Sequence, residues 1–142
     1  GNKDMTKTKS QIGKSSKARG ERGELSLVHV LRDAGFLEAR RTAQYCGKAG
    51  TSDVTGLPGI HVEVKNVQRL NIWEALAQSK RDSEADGNGD IAAVFFKRNR
   101  SGWYVAVPLS DFIRLYAQSD LCKGDVNKWV ENIKAGKKDN LQ

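Results

Sequence analysis

The sequence predicts an α/β fold, a mixed β-sheet flanked by helices, on three observations. Apolar residues recur at helical spacing in some stretches and at strand spacing in others, in the order α-β-β-β-α-β-β-α-α. One run, Ile91-Ala-Ala-Val-Phe-Phe96, is apolar throughout, as expected of a strand covered on both faces. The length of 142 residues suits one domain with a core, and 38% hydrophobic against 29% charged residues fits a globular chain.

Residues 1–19 carry Lys3, Lys7, Lys9, Lys14, Lys17 and Arg19 against Asp4, most of a net charge of +7. Rich in Gly, Ser and Thr, they are expected to form a flexible basic arm, either a solvated tail partly foreign ahead of Met5 or a non-specific phosphate contact. A helix is expected from about Gly20 to Ala34, with Leu27, Val28, Leu31 and Ala34 in one stripe and Gly35 as its C-terminal cap. Glu24 lies three and four residues before that stripe and extends it, so a carboxylate points toward the body of the protein.

Residues 36–45 are expected to be extended, and 47–52 a loop. A hairpin follows, with Asp53-Val54-Thr55, a turn through Gly56-Leu57-Pro58-Gly59, and a return strand from Ile60 to about Val67. Leu70 to about Ser83 reads as a helix with Trp73, Leu76, Ala77 and Lys80 at helical spacing. After the loop Asp86-Gly-Asn-Gly and the apolar strand, Asn99-Arg-Ser-Gly102 turns the chain into a strand at 103–107. Ser110 is expected to cap a helix to about Gln118, and a last helix from Asp125 to about Lys134 carries Val126, Trp129, Val130 and Ile133. The expected organisation is the arm at 1–19, a core at 20–120, and a C-terminal helix and tail at 121–142.

Several classes are disfavoured. No apolar run approaches a membrane span and no signal segment opens the chain, so a cytoplasmic protein without membrane attachment is expected. Cys46 and Cys122 show no CxxC spacing, and His29 and His61 are scattered, so neither a disulfide nor a zinc site is expected.

The chemistry concentrates in His61-Val-Glu-Val-Lys65. Strand alternation puts His61, Glu63 and Lys65 on one face, exposed or facing a cleft, and Val62 and Val64 on the other, in the core. A three-residue loop at 57–59 would pair Val54 with Val62 and Asp53 with Glu63, bringing the two carboxylates to about 4.5–5.5 Å between Cβ atoms. A tighter Pro58-Gly59 type II turn would slip the register by one residue unless a bulge absorbs it. Two such carboxylates repel by about 4 kcal/mol at an effective dielectric near 20. A divalent cation relieves that repulsion, and oxygen ligands suit Mg²⁺, with Mn²⁺ as a substitute. Lys65 would position an attacking water and offset charge on a phosphate, and Glu24 would be a third carboxylate for the metal or its water. The plain alternative for Glu63 and Lys65 is a solvated strand face with an ordinary ion pair.

Glu24, then Asp53 followed ten residues later by Glu63-Val64-Lys65, resembles the PD-(D/E)XK nuclease motif. The stretch from Glu24 to Phe36 resembles the opening helix of archaeal-type Holliday-junction resolvases, many of which have phage relatives. The likeness spans residues 20–107. It implies a restriction-endonuclease-like sheet and a Mg²⁺-dependent homodimeric endonuclease cutting branched DNA. Glu24, Asp53 and Glu63 would be its metal ligands and Lys65 its lysine. Ser52 stands where the motif has proline. Some relatives place a glutamine on the following helix near the metal site, which would make Gln78 a nucleic-acid-binding candidate; a solvent-facing helix residue is the plain alternative.

Arg40, Arg41, Lys48 and Arg69 flank these residues as candidate phosphate contacts. Glu21 and His61 are weaker candidates, better explained as a first-turn glutamate and a strand histidine. Trp73 and Trp103 are expected in the core or at a dimer contact. The alternatives are a restriction-like, VRR-type or repair nuclease cutting flaps or other structured DNA, and a nucleic-acid-binding module without cleavage.

Overall fold

A computed structural model describes residues 8–42, 52–122 and 131 of the chain. Helix α1 spans Lys9–Asp33, beginning well before its apolar stripe. The Thr8 side chain accepts from the Gln11 N–H, and the Gln11 side chain accepts from the Thr8 N–H, closing a capping box. Residues 9–19 are therefore helical, which corrects the expectation of a flexible arm up to residue 19. The capping pair is polar and so escapes a search for apolar periodicity. From Gln11 to Lys17 every residue is exposed. Further along, the Arg19 guanidinium donates to the Asn66 carbonyl at 2.7 Å and to Asn99 Oδ1 at 2.9 Å, fixing the helix to the sheet. After Ala34 the chain leaves the helix through Gly35, at φ 107°.

Among the described residues there follow β1 (Arg40–Arg41), β2 (Val54–Thr55), β3 (Ile60–Asn66), α2 (Ile72–Asp86), β4 (Ile91–Lys97), β5 (Tyr104–Ala106) and α3 (Leu109–Ala117). The strands form one mixed sheet in the order β1-β2-β3-β4-β5, with only β3 and β4 parallel, joined by the crossover through α2. The expected α/β class and mixed sheet are present. The extended segment after Phe36 shrinks to a two-residue strand among the described residues, and most of the last helix expected at 125–134 lies outside them.

Val62 and Val64 of β3 join Leu27, Val28 and Leu31 of α1, with Ala39 and Val54, in the main core. Phe95 and Trp103 pack at its edge. The opposite face is covered by α2 through Ala75, Ser79 and Ser83 rather than through Trp73, which is 79% exposed. The helix is where the periodicity places it, but small residues make the contact, because the fully buried His61 already fills that side of the sheet. Trp73 is thus not a core residue, whereas Trp103 meets the core as expected. Helix α3 is capped by Pro108 without a side-chain bond, so Ser110 falls in its first turn and is not the cap. No described helix is long and apolar enough to cross a membrane.

The hairpin resolves the conflict between turn and register. Ile60 N–H donates to the Leu57 carbonyl at 3.1 Å, with Gly59 at φ 84°, so Pro58-Gly59 does form the tight turn. Val54 nevertheless pairs with Val62. One extra residue on the first strand reconciles the two, and it is Gly56, at φ 105°. A Cβ there would stand 2.5 Å from the Ala39 backbone. Gly56→Ala is expected to destabilise the fold by at least about 1–3 kcal/mol from backbone strain alone, read as a lowered urea midpoint. An unchanged midpoint would show that the bulge does not hold the register.

Candidate active site

Strand β2 begins at Val54, and just before it the Asp53 N–H still donates to the Val62 carbonyl at 2.7 Å while two side chains add further bonds to β3. The buried Ser52 hydroxyl accepts from the Val62 N–H at 2.8 Å and lies 2.6 Å from the Val54 carbonyl. Asp53 Oδ2 accepts from the Val64 N–H at 2.8 Å. Asp53 is thereby held against β3 beside Glu63, its neighbour in the Val54–Val62 register. The role of Ser52 was not visible in sequence, where it counted only as a missing proline.

Glu63 is 5% exposed, so its face of β3 is a covered cleft and not a solvated edge. Lys65 Nζ lies 3.4 Å from Glu63 Oε1. Gln78, on the overlying α2, joins them: its Nε2 donates to Glu63 Oε1 at 3.1 Å and its Oε1 accepts from Lys65 Nζ at 3.1 Å. Lys65 and Gln78 open onto a cleft of about 240 Å³ bordered by Arg69, Asn71 and Glu74.

Burial, reinforced by the Glu63 charge and more weakly by Glu24, raises the Asp53 carboxyl from 3.8 to about 7, against the lowering effects of the Val64 N–H and Lys65. Burial also raises Glu63, helped by Asp82 and opposed by Lys65 and His61. Asp82 is a fourth acid in this field, missed in sequence although it lies one turn after Gln78 on the same helix face.

Glu24 is turned toward the site as its helix phase implies, but Arg41 Nε holds its carboxylate at 3.1 Å. Arg41 therefore neutralises Glu24 in this arrangement instead of standing free for a phosphate. Arg40 and Arg69 are exposed, and Lys48 lies outside the described residues. Among the described residues no three His, Cys, Asp or Glu side chains converge to hold a metal ion. The three expected ligands are thus not gathered as one set: Asp53 and Glu63 are coupled, and Glu24 is paired elsewhere. The half-buried Asp53 and the buried Glu63, which repel each other, still fit Mg²⁺, commonly held by one or two carboxylates with water and phosphate completing its shell.

Family models, curated proteins and solved structures offer no match to this chain.

Proposed function

We propose that the protein is a Mg²⁺-dependent DNA endonuclease of the PD-(D/E)XK kind, acting on branched DNA such as a Holliday junction. The observation that carries this reading is the coupled Asp53–Glu63 pair, one carboxylate half-buried and the other buried, with Lys65 and Gln78 bonded around Glu63. A bound divalent ion would supply Lewis acidity toward a phosphate and lower the pKa of its water. Asp53 and Glu63 would hold that ion. Lys65 is placed to offset charge on the phosphate as water attacks phosphorus and a P–O ester bond breaks. Gln78 keeps Lys65 and Glu63 in register, so that neither turns away to solvent. A binding-only module would gain nothing from burying two acids, whose desolvation opposes folding.

Nucleic acid as the partner is supported by charge near the site. Lys14 and Lys17 are exposed on α1, and Lys17 lies two turns before Glu24 on the same helix face. A homodimer belongs to the same proposal, supported by the apolar side of α3, where Leu109, Phe112, Leu115 and Tyr116 are exposed. Sedimentation as a monomer at high concentration would remove that part.

The test compares four-way junction, flap and linear duplex DNA with Mg²⁺ and with a chelator. Metal-dependent cutting, fastest on the junction, is the expected result. Equal cutting of all three would leave a nuclease without junction preference, and no cutting would sink the enzyme reading.

A further inference from the structure

Beside the cleft onto which Lys65 and Gln78 open lies a second cavity of about 410 Å³, within the size range of roughly 300–1,000 Å³ usual for small-ligand pockets. Val67, Leu70, Phe96 and Tyr104 give it apolar walls, and Gln68 and Arg98 give it a polar side. The two hollows have Val67 and Leu70 as common walls, so they are neighbours. Sheet register places them on one face: Lys65 pairs with Phe96, and Phe96 with Tyr104. Tyr104 therefore stands two strand spacings, about 10 Å, from Lys65.

The rings of Phe96 and Tyr104 are 5.9 Å apart and tilted by 30°, yet Tyr104 remains 61% exposed. Its contact with Phe96 leaves most of the Tyr104 side chain open, and basic side chains surround it. Lys97 and Arg98 border the cavity, Arg69 borders the adjoining cleft, and Arg19 lies 3.5 Å from the side-chain oxygen of Gln68 in the cavity wall. Aromatic faces with cations around them are the combination that binds single-stranded nucleic acid, bases stacking on rings while the backbone meets positive charge. A paired base has both faces covered within the duplex, so only a base splayed out of the stack can use such a ring.

We propose that this cavity is a subsite for an unpaired nucleobase of the DNA strand, stacked on Tyr104 next to Phe96 with its phosphate toward Arg98. The subsite rests on the nuclease reading for its substrate class. It also gives that reading a physical reason to prefer branched or flapped DNA, which supplies unpaired bases near a scissile bond.

The test is binding without divalent metal, so that no cutting interferes. A labelled oligothymidylate is compared with an abasic strand of the same length, for wild type, Tyr104→Ala and Tyr104→Phe. Wild type and Tyr104→Phe are expected to bind the base-bearing strand roughly tenfold or more tightly than the abasic one, and Tyr104→Ala to bind both alike. Retained abasic binding also shows that the variant is folded. Equal affinity of wild type for the two strands would overturn the subsite, as would a base preference surviving in Tyr104→Ala. A changed sedimentation coefficient in Tyr104→Ala would overturn it in favour of a contact between two copies of the chain. Absence of metal-dependent cutting in wild type would instead strike the nuclease reading, and leaves this binding result to be judged by itself.

Discussion

Asp53→Asn is expected to lower Mg²⁺-dependent DNA cutting by about a thousandfold or more while leaving the protein folded. Lewis-acid stabilisation amounts to several kcal/mol, and each ~1.36 kcal/mol is a factor of ten in rate. Asparagine keeps an oxygen that can accept from the Val64 N–H, the side-chain hydrogen bond of Asp53 to β3, and leaves the backbone bond from the Asp53 N–H to the Val62 carbonyl untouched. It removes the charge that burial and Glu63 oppose. Activity and stability should therefore move in opposite directions at neutral pH, which separates loss of chemistry from loss of structure. The measurement is single-turnover cutting of a four-way junction with excess enzyme, beside a thermal melt of each protein. Near-wild-type cutting by Asp53→Asn would show that the site lies elsewhere. Lost cutting together with a collapsed melt would mean that Asp53 serves the fold.

What could be read from the sequence, and what could not, follows the range of the interactions concerned. Alternation along His61–Lys65 and the Val54–Val62 match rest on strand period and apolar pairing, both local, and the register carries them. The start of α1 turns on one hydrogen-bonded pair, Thr8 and Gln11, that adds nothing to an apolar stripe. The partner of Glu24 is harder still. Its orientation follows from helix phase, but Arg41 sits on another element, and only the packing of α1 over β1 brings the two to 3.1 Å. Ser52 and Asp82 were missed for the same reason, since each acts across elements whose spacing no sequence window contains. Gln78 is suggested by likeness to a family alone, and its bonds to both Glu63 and Lys65 come from the packing of α2 over β3, which no sequence window contains.

The metal-free protein is expected to lose stability as pH rises from about 4 to about 7, and Mg²⁺ to restore it at the upper end. Asp53 has a carboxyl raised from 3.8 to about 7, and Glu63 is raised as well. Across that window the folded protein binds more protons than the unfolded chain, so the slope of stability with pH is negative. The favourable contribution is complete below pH 4, where both states are protonated, and is gone above pH 7, where both are ionised. Its size is on the order of a few kcal/mol, which for a chain of this length corresponds to a fall in melting temperature of about 5–10 °C. Other groups titrate in the same range, so the decisive quantity is the difference between wild type and Asp53→Asn. The variant should show a distinctly flatter profile between pH 5 and pH 8. Mg²⁺ competes with the proton for the ionised pair, so it should raise the wild-type melt at pH 8, by about 2.7 kcal/mol at a hundred times its dissociation constant, and do little at pH 5. Parallel profiles for the two proteins would show that Asp53 titrates in the folded state as it does in the unfolded chain. A Mg²⁺ effect equal at both pH values would place the ion away from this carboxylate pair, because only the ionised pair gives the metal a pH-dependent hold.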